Sequence, residues 1–271
     1  MARSFDRAPR DSTVLRVDRS LLDDLRAEEQ ALDDLLAPMD ADAWRRATPA
    51  AGWTVADTIR HLLVAELAAT RSVRDRKDFV GESHGADVET SSAAAAAIAG
   101  VSAADDDGSG LLAAWRETRL QTLDALAAEP DDARVPWGGR EMGVRSLATA
   151  RLMETWAHGL DCFAAFDVPV VDTDRLRHVA WLGWRTLPYA FAVARREPPV
   201  PLADLRIELT APSGAAWVYG REDADQVVRG PASAWCRVVT HRWRDPSPAP
   251  LDASGPLAVA TLDVAQAYLD M

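Results

Sequence analysis

The sequence predicts a mainly α-helical protein: a helical bundle over residues 1–198, followed by a small α/β domain over residues 199–271. Three observations predict it. Leucines recur at three-and-four spacing early in the chain, the stripe of a helix buried on one face. The second predicted helix is apolar on nearly every side, as a helix inside a bundle must be. After Glu197-Pro198-Pro199-Val200-Pro201 the pattern changes to period-two alternation, which suits strands. That proline-rich stretch is the expected boundary between the two units.

The elements follow in order. Leu21, Leu22, Leu25, Leu32, Leu35 and Leu36 define a first helix over about Arg19–Leu36, ended by Pro38. Thr48 to Trp53 reads as a loop. Thr54 then starts a second helix, with Asp57 three residues on able to complete a capping box. Val55, Ile59, Leu62, Leu63 and Leu67 run along it to about Arg74, with alanines filling much of the rest. Residues 78–110 hold Gly81, Gly85, an alanine tract and Asp105-Asp106-Asp107, and suit a lid or a helix-plus-loop insertion. A third helix spans about Gly110–Ala128. The loop Pro136-Trp137-Gly138-Gly139 leads to Ser146, the expected cap of a fourth helix reaching Phe166. Asp172 or Thr173 caps a fifth, through Arg196. In the tail, Leu205–Thr210 and Ala215–Tyr219 form a hairpin across Pro212-Ser213-Gly214, and Asp225–Arg229 is a third strand. Helices over Ala232–Trp243 and Pro256–Leu269 complete the chain.

Composition narrows the function. Of 271 residues, 48% are apolar and 27% charged, the balance of a folded chain. Thirty Lys and Arg against 42 Asp and Glu leave a net charge of −12, which argues against nucleic acid. An anionic substrate then needs a local cluster of arginines. The opening MARSFDRAPR lacks the apolar core of a secretory signal, and the uncharged run Ser91–Ala104 is too short to cross a bilayer. Cys162 and Cys236 have no CxxC partner. These features predict a reduced, cytoplasmic protein with no membrane partner, monomeric or homodimeric.

The chemistry concentrates in Arg151-Leu152-Met153-Glu154-Thr155-Trp156-Ala157-His158-Gly159-Leu160-Asp161. Glu154 and His158 stand four apart and share a helix face, with Arg151 and Asp161 along the same stripe. Taken alone, such a pair also suits a solvated helix. His61 supplies a third candidate from the apolar second helix, where a core histidine bonded to a carbonyl is the competing reading. Together His61, Glu154 and His158 match a metal site with three protein ligands and an open position, zinc first, with nickel, iron or manganese as alternatives. Asp57 and Asp161 are candidate outer partners that orient the ligands. Arg151 either binds a substrate carboxylate or pairs with Glu154 or Asp161, and pairing is the commoner behaviour of arginine. Arg140 and Arg145 flank the entry to the fourth helix and are candidate substrate ligands. Trp53 and Trp156 flank the ligands as candidate pocket walls. Cys162 reads as a small buried hydrophobe, and His84, His178 and His241 as surface positions. No side chain is assigned as nucleophile.

Gly52-Trp53-Thr54-Val55-Ala56-Asp57 with His61-Leu62, and Glu154-Thr155-Trp156-Ala157-His158-Gly159, resemble the DinB-like metalloenzyme superfamily. The resemblance is nearest to its branch related to the mycothiol-dependent maleylpyruvate isomerases. It implies a four-helix bundle whose metal is held at the positions of His61, Glu154 and His158, followed by a sterol-carrier-like α/β module. It further implies a divalent-metal-dependent enzyme that activates a low-molecular-weight thiol such as mycothiol. The thiol would serve S-transfer to, or thiol-assisted isomerisation of, a small acidic substrate. Arg237 enters only through the resemblance, as the arginine with which such a module closes the pocket. Two alternatives stay open: a hydrolase or lyase in which water replaces the thiol, and a non-enzymatic ligand-binding protein with a structural metal.

Overall fold

A computed structural model describes residues 19–83, 108–243 and 247–267. Four long helices make the bundle: α1 (Arg19–Leu36), α3 (Val55–Arg74), α5 (Ser109–Ala128) and α6 (Val144–Ala165). Short helices α2 (Ala41–Trp44) and α4 (Arg76–Ser83), absent from the sequence reading, sit in the connections. Most of the 78–110 insertion, with His84, lies outside the described residues. The first three long helices have nearly the expected limits because their apolar spacing is strong.

Three expectations are corrected between residues 130 and 196. The loop before α6 is a β-hairpin, β1 (Arg134–Trp137) against β2 (Arg140–Gly143), with Trp137 opposite Arg140. Its two turn residues, Gly138 and Gly139, have φ of 55° and 71°, the backbone that a two-residue hairpin turn requires. Helix α6 starts at Val144, so Ser146 lies inside its first turn; Gly143 holds the cap position without a side-chain bond. The fifth predicted helix is two, α7 (Leu176–Arg185) and α8 (Leu187–Val193), broken at Thr186 with Pro188 in the first turn of α8.

The tail carries a four-stranded sheet ordered β4 (Ala216–Gly220), β3 (Leu205–Thr210), β5 (Gln226–Pro231), β6 (Asp252–Ser254). β3 runs antiparallel to β4 and parallel to β5. Alternation in β3 turns Leu205, Ile207 and Leu209 inward. Helices α9 (Ala232–Val239) and α10 (Pro256–Val264) pack on this sheet. α9 ends four residues before the expected Trp243.

The apolar core runs from the bundle into the tail without a break. Leu123, Leu152, Val179, Ile207, Trp235 and Leu257 belong to one buried cluster. The seam is formed by α7 against α9, where the Trp235 indole donates to the Ala180 carbonyl at 3.2 Å. Gly183 lets the helices approach closely, since a Cβ there would meet Val239 at 2.8 Å. A second cluster around Trp44, Ile59, Leu62, Trp115 and Cys162 closes the bundle's other end. No helix among the described residues is long and apolar enough to cross a membrane.

Charged groups are also buried in the bundle. Asp33 accepts hydrogen bonds from both Arg116 and Arg119. Glu29 is 1% exposed, and neither carboxylate oxygen has a hydrogen-bond partner among the described residues. Burial, and then the neighbouring Glu66, push its pKa well above the usual carboxylate value, against the pull of Arg119. The folded state therefore holds this proton more tightly than the unfolded chain. The associated stability is present below the ordinary Glu pKa and is lost as pH rises through the folded value. Glu29→Gln, isosteric with the protonated acid, is expected to have little effect at about pH 4. The variant should become progressively more stable than the wild type toward about pH 8. Urea midpoints across that range check this; an advantage that shrinks with rising pH contradicts it.

Candidate metal centre

Local structure fixes the first side of the site. Thr48 N–H donates to the Trp53 carbonyl at 2.8 Å, and Trp53 N–H to the Ala50 carbonyl at 3.0 Å, clipping the loop before α3. Thr54 and Asp57 then form the expected capping box. Two turns into α3, His61 faces α6. On α6 the spacing of Arg151, Glu154, His158 and Asp161 gives one stripe directed into the protein.

The three predicted ligands converge. Nε2 of His158 lies 3.3 Å and Nε2 of His61 3.6 Å from the same Oε2 of Glu154. One ligand atom from each residue lies within 4.8 Å of the others. The His61 and His158 rings are 4.5 Å apart, and Trp53 stacks on His158 at 5.7 Å with an 8° interplanar angle. Two imidazole nitrogens and one carboxylate, half-buried and open on one side, fit a divalent cation such as zinc with a coordination position to spare. Burial alone would raise the Glu154 pKa, but bonds from His158 and His61 and the charge of Arg151 hold it well below the usual value. The carboxylate is thus anionic, as a ligand must be.

Asp161 stands behind His158. Its Oδ2 lies 3.6 Å from Nδ1, an ion-pair distance longer than a good hydrogen bond, and its side chain is wholly buried. Asp161 thus backs the His158 ring on the side away from Glu154. The same Oδ2 accepts from Arg242 Nη2 at 3.0 Å, and that guanidinium also approaches Nδ1 at 3.5 Å. Arg242 comes from the tail and escaped the sequence reading. Beyond α9, His241 adopts φ of 55°, and Arg242 N–H returns to the Arg237 carbonyl at 2.7 Å, turning the chain back toward α6.

Other predicted residues lie elsewhere. Asp57 bonds Thr54 and Arg60, so capping accounts for it and it does not orient His61. Arg237 makes a forked pair with Asp172 at 2.7 and 3.1 Å and covers the Trp156 ring; Trp156 is core, and neither residue lines the cavity. Arg145 is exposed, pairs with Asp131 at 3.9 Å and also stays outside the cavity. Arg151 pairs with Glu66 at 3.9 Å instead of with Glu154 or Asp161. His178 is not a free surface group: Nε2 lies 2.9 Å from Asp24. His241 is exposed as expected. Burial pushes the Cys162 thiol far up, which removes it as a nucleophile near neutral pH.

The triad opens on a cavity of about 440 Å³. His61, Glu154 and Arg151 line one end, the β1–β2 hairpin with Arg140 a second side, and α7 and α8 the third. The sequence reading missed the contribution of α7 and α8, because tertiary packing and not local spacing lays them against the bundle.

Comparisons with known proteins place the chain in a family. Residues 25–163, more than half of the chain, match the family described as the mycothiol maleylpyruvate isomerase N-terminal domain. Uncharacterized proteins from two strains of Mycobacterium tuberculosis are 42% identical over 254 residues, covering 90% of this chain and 93% of theirs. The crystal structure of the mycothiol-dependent maleylpyruvate isomerase superposes with a TM-score of 0.55 at 18% identity, over 86% of this chain and 95% of that one. A histidine-to-alanine mutant of that enzyme gives the same score at 17% identity. With a family match over that length, on a helical bundle followed by a small α/β unit, the chain belongs to the mycothiol-dependent maleylpyruvate isomerase-like branch of the DinB-like superfamily.

Proposed function

We propose that this protein is a divalent-metal-dependent enzyme that uses a low-molecular-weight thiol of the mycothiol kind for isomerisation of, or S-transfer to, a small acidic substrate. The observation that carries the reading is the convergence of His61 and His158 Nε2 on one oxygen of Glu154. When bound, zinc or a similar ion there would lower the pKa of a coordinated thiol and supply a nucleophile near neutral pH. The chain's own groups do the rest. Asp161, steadied by Arg242, orients His158. Trp53 covers both imidazoles and limits access of water to them. Arg151 and Arg140 line the adjoining cavity and offset the protein's negative charge for an acidic substrate. In this reading the bundle, residues 1–198, carries the ligands and the unit over residues 199–271 closes over them.

The test is metal analysis of the purified protein, followed by turnover assays with and without mycothiol, with maleylpyruvate as the first substrate. Stoichiometric divalent metal and thiol-dependent turnover are expected. Turnover undiminished without thiol would move the assignment to a hydrolase or lyase. A folded protein that binds no metal would end it.

A further inference from the structure

The cavity beside the triad is unevenly charged. On its lining Arg134 is paired with Glu141 at 3.5 Å, and Glu154 is taken up by the two imidazoles. Three guanidinium groups keep capacity to spare. Arg140, on the hairpin, and Arg185, at the end of α7, line the cavity, and their side chains make no hydrogen bond or ion pair among the described residues. Arg151 is 4% exposed; its Nη1 lies 3.9 Å from Glu66 Oε1, an ion pair too long for a hydrogen bond, and neither Nη1 nor Nε has a hydrogen-bond partner among the described residues. A buried guanidinium with unsatisfied donors is costly unless a ligand or water completes it. The walls between these charges are apolar: Trp137, Met142, Met153 and Trp181.

From this arrangement we infer that the cavity binds an organic carboxylate with an apolar, ring-sized body. The carboxylate lies between the Arg140 and Arg185 forks, the body lies against Trp181 and Met153, and Arg151 supplies buried positive charge below. Planar guanidinium forks suit carboxylate geometry, and a cavity of about 440 Å³ is large enough for a ring. Arg185 and the α7 wall are thereby assigned to selecting the substrate. This deepens the proposed function and rests on it for the reaction, though the binding itself stands apart from the metal.

The test is titration of the full-length, metal-loaded protein with benzoate by calorimetry, with benzamide and inorganic phosphate in parallel. Benzoate is expected to saturate the protein and benzamide to bind at least about tenfold more weakly, because it lacks the charge. Phosphate is expected not to compete, because it lacks the body. Arg140→Gln and Arg185→Gln, both at exposed positions, should each weaken benzoate about tenfold while leaving metal content unchanged. Equal binding of benzoate and benzamide would overturn the proposal. So would effective competition by phosphate, or benzoate binding that vanishes on chelation and ignores both substitutions. If the protein binds no metal but still binds benzoate in an arginine-dependent way, the metal reading fails and this one stands.

Discussion

His158→Ala is expected to yield a folded protein with almost no bound metal, falling from about one ion per chain to about a tenth or less. In the proposed site His158 would supply one of three donors, and the remaining pair would have to hold the ion without the nitrogen backed by Asp161. The fold has little reason to suffer, since alanine is the best helix former and the position lies within the 22-residue α6. Asp161 keeps its bond to Arg242 and is not left as an unpaired buried charge. Metal analysis after gel filtration, with far-ultraviolet circular dichroism as the folding control, reads the outcome. Full retention of zinc by a folded variant would refute the proposed ligand set. Thiol-dependent turnover should fall to background in the same preparation.

Trp235→Ala is expected to cost about 3–5 kcal/mol of stability, the range for emptying a large aromatic site in a packed core. Trp235 is fully buried in the cluster shared by bundle and tail. Its removal also strips the Ala180 carbonyl of a donor where water has poor access, which adds to the cavity cost. The neighbourhood cannot easily collapse, because Gly183 already brings α7 against Val239. Denaturant unfolding monitored by circular dichroism checks the figure, and a loss under about 1 kcal/mol would show that the seam relaxes freely. Trp235→Phe should recover part of the loss by filling volume without restoring the hydrogen bond.

What the sequence disclosed follows from how each element is encoded. α1, α3 and α5 are long and periodic, so their leucine spacing gives nearly the limits found. The Thr54–Asp57 capping box is equally local and was legible, yet the same spacing made Asp57 look like an orienting partner for His61. Only the bonds to Thr54 and Arg60 separate those roles. The four-residue strands of the hairpin are too short for alternation to register, although Gly138-Gly139 signalled a turn. Pro188 signalled the break between α7 and α8 and was passed over. In the site, the i,i+4 pair on α6 and the lone histidine on α3 were readable because helix geometry fixes which side chains share a face. Arg242 was not, because its position depends on a reversal of the chain after α9. Arg185 depends likewise on how α7 is laid across the bundle.

The Asp161–Arg242 pair joins a bundle helix to the chain beyond the sheet, immediately behind His158. Thermodynamic reciprocity applies to such a shared partner: whatever free energy the seated tail adds to a cation's hold on His158, the cation returns to the seating of the tail. On the proposed metal reading, ion occupancy and the association of the two halves of the chain would be one coupled equilibrium.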